Sequence, residues 1–144
     1  MVFRIAASLV CATLWGCAPD ETSTKLSAQF GGRWVGQYSV EGEPGTFHYV
    51  IERKKDGTYV LERKQIDSGK ILFQGSEAGK WFVEDGAYKI KTEKVDGKQA
   101  DARDMSNYQA YAIERVAVDS IALKHALSNT QISEKRVPTD FKLP

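Results

Sequence analysis

Apolar and polar residues alternate one by one along most of this chain, and Asp-Gly pairs interrupt the alternation at short intervals. A period of two is the pleat of a β-strand, and Asp-Gly between two such runs is a strong local hairpin signal. In 32–40, Trp34, Tyr38 and Val40 share one face with Gly36 between them, while Arg33, Gln37 and Ser39 share the other. Phe47, Tyr49 and Ile51 alternate with Thr46, His48 and Glu52, and Asp56-Gly57 follows. Tyr59 and Leu61 then alternate with Thr58 and Glu62. A strand over 70–75 carries Ile71 and Phe73 on one face, and Trp81 and Val83 lead into Asp85-Gly86. Tyr88, Ile90 and Thr92 alternate with Lys89, Lys91 and Glu93 before Asp96-Gly97. Residues 98–106 are polar and read as a long loop or one or two helical turns. Strands resume over 108–118, turn at Asp119-Ser120, continue over 121–127 and end with 131–137 before Pro138. Phe141 and Leu143 are expected to close one end.

This pattern predicts an all-β domain, an antiparallel up-and-down meander of about eight strands. An open sheet of that length leaves two adhesive edges, and closure removes them, so a small barrel or half-barrel is expected, with a two-sheet sandwich as the alternative. A membrane-spanning barrel needs an apolar outer band. The face bearing Lys89, Lys91 and Glu93 is polar instead.

The first residues follow a different rule. Arg4 is the only charged residue before Asp20, and an uncharged apolar run begins at Ile5. That run is short for a bilayer span and has the layout of a secretory signal peptide. Its end, Leu14-Trp15-Gly16-Cys17, resembles the lipobox of bacterial lipoproteins: an aliphatic residue, a loosely constrained one, a small one, then cysteine. Trp15 departs from the small or aliphatic residue usual at its position. Cys11 fits less well, because Val10 precedes it. The resemblance implies removal of residues 1–16 and lipid attachment at Cys17. Ala18 rather than Asp after the cysteine implies the outer membrane, facing the periplasm.

Residues 17–30 read as a lipidated tether, with an aperiodic spacer rich in Ser and Thr over 20–29, and 31–144 as the barrel domain. Processing would take 16 of the 144 residues and leave 128, with 19 basic against 19 acidic side chains once Arg4 is gone. No thiol then remains for a disulfide. The near-neutral balance argues against nucleic acid as a partner.

Gly32-Arg33-Trp34-Val35-Gly36-Gln37-Tyr38 reads Gly-x-Trp-x-Gly-x-Tyr and resembles the opening strand of lipocalin-like domains. Asp56-Gly57-Thr58-Tyr59, the segment from Gly79-Lys80-Trp81 to Asp85-Gly86, and Val118-Asp119-Ser120-Ile121 are similar to that family's later hairpins. The resemblance implies a barrel with Trp34 plugging its base. The lysozyme-inhibitor lipoproteins, also small barrels, carry cysteines and a Gly-rich inhibitory loop that the mature chain lacks.

Little in the chain points to catalysis. The two imidazoles, His48 and His125, read as an exposed strand residue and a rim or core residue. Zinc needs three or four ligands, so neither suggests a metal site. Glu84-Asp85 sits at a hairpin turn, Asp101 and Asp104 lie in the polar loop, and no serine stands in Gly-x-Ser-x-Gly. Arg53-Lys54-Lys55 reads as solvated charge at a hairpin tip, or as a contact for anionic headgroups. No catalytic residue, cofactor or metal is assigned.

The aromatic residues carry most of the information. Trp34, Phe47, Phe73 and Trp81 are expected in the core. Tyr38, Tyr49, Tyr59, Tyr88 and Tyr111 are candidate ligand contacts, because five hydroxyls are many for a sealed interior. The expected function is that of a non-enzymatic, membrane-anchored envelope lipoprotein. It would bind a small apolar or amphipathic ligand or an envelope protein partner, or else serve as a structural subunit of an envelope complex with a filled barrel.

Overall fold

A computed structural model describes residues 21–144. The expected signal peptide, the segment resembling a lipobox and Cys17 lie outside the described residues. The chain runs through helix α1 (Glu21–Phe30) and nine strands: β1 (Gly32–Tyr38), β2 (Thr46–Arg53), β3 (Thr58–Asp67), β4 (Lys70–Glu84), β5 (Ala87–Val95), β6 (Lys98–Gln99), β7 (Tyr108–Val116), β8 (Ser120–His125) and β9 (Gln131–Arg136). A single 3-10 turn, Met105–Asn107, precedes β7.

Every pairing is antiparallel. The order β1-β2-β3-β4-β5-β7-β8-β9 returns to β1, so eight strands close into a barrel and β6 only extends β5. Closure satisfies every barrel edge and rules out both the half-barrel and the sandwich. The two-residue β6 and the 3-10 turn account for much of the polar segment 98–106.

Period two decides which side chains enter. Trp34, Tyr49, Ile51, Tyr59, Trp81, Tyr88, Ile90, Tyr111, Ile121, Leu123 and Ile132 are all buried in one cluster. Lys89, Lys91 and Glu93 lie on the opposite side of β5 from buried Tyr88, Ile90 and Thr92. The turns also follow the chemistry. Asp85-Gly86 and Asp96-Gly97 each place two successive residues at positive φ, the geometry of the two-residue type I′ hairpin. Ser68-Gly69 does the same without an Asp-Gly signature. At Asp56-Gly57 only the glycine has positive φ. Gly57 N–H donates to the Lys54 carbonyl and Lys54 N–H to that of Thr58, so this hairpin has a longer, bulged loop.

Three expectations need correction. The segment read as an aperiodic spacer is the ten-residue helix α1. Ser23, Leu26, Ser27 and Phe30 form its inward stripe at helical spacing, which is hard to see because two of the four are serines. Phe30 is fully buried and Leu26 packs on the core, so the fold includes residues before Gly31. Second, 70–75 and 81–83 belong to one strand of 15 residues, β4, whose register with β5 shifts between Ala78 and Gly79, where Glu93 of β5 is left unpaired. Third, Phe141 and Leu143 do not close an end. Arg33 donates from Nε and Nη2 to the Phe141 carbonyl, and Lys64 Nζ donates to the carbonyls of Leu143 and Pro144. These anchors tie the C-terminal segment to outward side chains of β1 and β3.

The base is closed by α1 instead. Phe30 meets the Tyr88 ring at 5.1 Å. The indole of fully buried Trp34 donates to the Phe30 carbonyl at 2.9 Å. The Arg136 guanidinium lies 4.1 Å from the Trp34 ring and ties the helix end down through the Gln29 and Gly31 carbonyls.

Candidate functional site: the barrel cavity

The end opposite α1 is open. Between the base and this mouth lies a cavity of about 500 Å³, a size typical of small-molecule sites. Its walls are apolar at mid-depth, from Ile51, Leu61, Ile90, Leu123 and Ile132. Its mouth is polar, with Ser39, Glu41, Gln109, His125, Ser128 and Thr130.

The cavity floor holds a buried charge pair. Arg53 donates from Nη1 to Glu134 Oε2 at 2.7 Å and from Nη2 to Oε1 at 2.8 Å. The two residues are each 2% exposed. Tyr49 donates its hydroxyl proton to the same Oε1 at 2.9 Å, and Arg53 Nε donates to the Tyr88 hydroxyl oxygen at 2.8 Å. Burial works against the Arg53 charge, but the carboxylate of Glu134 more than offsets this and holds the proton on. Burial pushes the Tyr88 hydroxyl up to about 12, with Arg53 pulling the other way. Burial, reinforced by Glu134, raises Tyr49 well above the ordinary tyrosine range.

Gly36 makes this floor possible. It stands between Tyr49 on β2 and Glu134 on β9 in the register. A Cβ there would collide with the Tyr49 hydroxyl and ring. The bare backbone lets the phenol lie across β1 and reach the carboxylate, which gives the second glycine of Gly-x-Trp-x-Gly-x-Tyr a physical role.

A second network runs through one wall and reaches the cavity at Glu77 and Arg63. The Tyr59 hydroxyl and Thr92 Oγ1 lie 2.8 Å apart, Thr92 Oγ1 donates to Glu77, and Glu77 pairs with Arg63 Nη1 at 3.1 Å. Both opposite-charge pairs in the cavity are thus matched in charge, but Arg63 Nε is buried without a hydrogen-bond partner among the described residues. Among the described residues no three His, Cys, Asp or Glu side chains come together as a metal site.

Among solved structures, the chain is similar to a lipocalin-like protein from Bacteroides uniformis, at 11% identity over 76% of this chain and 99% of that one, with a TM-score of 0.49. No family model and no curated protein matches the chain.

Of the five candidate tyrosines, Tyr38, Tyr49, Tyr88 and Tyr111 line the cavity. Tyr59 does not; it is 1% exposed and held in the wall by Thr92. Of the expected core, Trp34 and Trp81 are buried, and Phe47 is half-buried against the Tyr38 ring at 5.0 Å. Phe73 is corrected: it is 38% exposed. Its register partner Gln65 is buried, so it has the interior parity. The β3–β4 hairpin, however, overshoots the barrel there, since β5 pairs with β4 only as far as Glu77.

Arg53 is a second correction, because it is buried charge on the floor and not part of a solvated tip. The series Phe47, Tyr49, Ile51, Arg53 continues one period-two face, and that parity was the available signal. His48 is half-buried on β2. His125 sits at the mouth with its ring edge-on to Tyr111 and Nδ1 2.9 Å from Ser128 Oγ.

Proposed function

We propose that this chain is a non-enzymatic binding protein of the bacterial envelope, anchored by lipid at Cys17, whose barrel takes a small apolar or amphipathic ligand through its open mouth. The observation carrying the ligand reading is the cavity of about 500 Å³, apolar at mid-depth and reached from one end. A filled barrel would have favoured the structural-subunit reading. The anchor and the outer-membrane location rest on residues 1–18 alone.

The test is saturable binding of the neutral fluorophore N-phenyl-1-naphthylamine to the purified full chain. Leu61→Trp, which fills the cavity from a half-buried wall position, is expected to abolish it. Failure of the wild-type chain to bind sinks the carrier reading. Cys17→Ala is expected to move the protein from the membrane to the soluble fraction; unchanged sedimentation with membranes refutes the anchor. The alternative, an accessory subunit of an envelope complex, draws on Ile71 and Leu72 at the β3–β4 tip, 55% and 50% exposed. Native mass spectrometry of the acylated protein taken from its own envelope separates the two, by a bound small molecule or a bound protein.

A further inference from the structure

The hydrogen bonds of the floor do not balance, and the imbalance specifies a ligand. Tyr49 gives its proton to Glu134, and Tyr111 gives its proton to Gln109 Oε1 at 2.6 Å. Tyr88 differs. Its hydroxyl oxygen accepts from Arg53 Nε, so its own proton points elsewhere, and no acceptor for it is found among the described residues. Tyr88 is 1% exposed and lines the cavity. The Arg53 side chain is fully buried, so its remaining N–H groups present nothing to the cavity. The floor therefore offers one unused hydroxyl proton, that of Tyr88. A purely apolar ligand seated there leaves this proton unpaired, which is costly in a buried site.

Charge sets the second constraint. The Arg53 cation is already met by a bidentate carboxylate. An anionic headgroup would bring a second negative charge beside Glu134 without water to screen it, and a cationic one would meet Arg53.

We propose that the cavity selects a compact apolar molecule bearing one uncharged acceptor oxygen, inserted head-first so that this oxygen receives the Tyr88 hydroxyl proton on the floor while the apolar body lies against Ile51, Ile90, Leu123 and Ile132. This rests on the carrier reading above and names the ligand class for the same cavity. A tail-first pose would put the polar atom among the mouth residues and leave the Tyr88 proton facing hydrocarbon.

The test compares three probes with one bicyclic body: naphthalene, 2-acetylnaphthalene and 2-naphthoate, titrated into the full chain at neutral pH. The expected order is 2-acetylnaphthalene over naphthalene by about five- to tenfold, the weight of one buried hydrogen bond, with 2-naphthoate weakest. Tyr88→Phe keeps the ring and removes both the proton and the oxygen that accepts from Arg53 Nε, and it is expected to erase the preference for the ketone over naphthalene. Equal binding of naphthalene and the ketone by the wild type, tightest binding of the naphthoate, or a ketone preference that survives Tyr88→Phe each overturns the proposal. If Tyr88→Phe does not fold, the wild-type order decides alone. Binding of N-phenyl-1-naphthylamine without a ketone preference defeats the head-first inference and spares the carrier reading; failure of all four probes defeats both.

Discussion

Arg53 and Glu134 lie 81 residues apart in the chain and meet on the cavity floor through two parallel hydrogen bonds of 2.7 and 2.8 Å. One ends β2 and the other is central to β9, and β1 lies between them in the sheet. The pair holds the base of the barrel together across its interior and sets the polarity of the cavity.

Breaking that pair on one side should be severe. Glu134→Ala leaves a buried guanidinium without its counter-ion and is expected to cost about 3–5 kcal/mol. Replacing both, Arg53→Met with Glu134→Leu, is expected to cost much less than the sum of the two single changes, because no charge is stranded. Denaturant unfolding of the wild type, Arg53→Met, Glu134→Leu and the double variant measures the coupling; additive losses would refute it.

Gly36 is expected to tolerate no side chain. Gly36→Ala drives a methyl into the Tyr49 ring and separates its hydroxyl from Glu134. A loss of about 1–3 kcal/mol is expected from overpacking. Tyr49→Phe in the Gly36→Ala background should add little, since the hydrogen bond is already gone; a full additional loss would show that Tyr49 still reaches Glu134.

The base depends on Trp34 and Phe30. Trp34→Ala is expected to cost about 3–5 kcal/mol, as for a large buried aromatic side chain, and Phe30→Ala a similar amount. Phe73→Ala, at the exposed hairpin, should stay within about 0.5 kcal/mol. Thermal melting of the three variants ranks them, and a Trp34→Ala loss below about 1 kcal/mol would contradict its place in the core.

Alkaline pH should unfold the protein through its tyrosines. Burial raises the folded-state values of Tyr38, Tyr49, Tyr59, Tyr88 and Tyr111. A raised folded value means that the unfolded chain ionises first. The stability from these groups is therefore whole below about pH 10, the ordinary tyrosine value, and declines as the pH climbs above it. Tyrosinate absorbance followed with circular dichroism should show late, cooperative ionisation that coincides with unfolding. Ordinary ionisation near pH 10 with the barrel intact would refute the burial of these hydroxyls.

Much of this was legible in the chain. Period two along β1, β2, β3 and β5 gave the correct inward faces, and Asp-Gly pairs marked three of the hairpins. Four of five candidate tyrosines reach the cavity. The misses share a cause. Helix α1 was hidden because its inward stripe mixes serines with Leu26 and Phe30, and its helicity depends on the barrel end it covers. Phe73 has interior parity, but parity says nothing of where along a strand the barrel stops. Arg53 looked like surface charge because burial of a cation depends on a partner, and Glu134 stands 81 residues away.

The sequence by itself determined the strand class and most of the strand residues that face inward, because pleat and turn chemistry act over two to four residues. The tertiary structure alone decided that the meander closes into a barrel, that the barrel keeps a cavity, that a helix closes its base, and that a charge pair lies on its floor. Those features come from side chains on distant strands meeting in one enclosed volume, where a missing partner is costly and a bidentate one suffices.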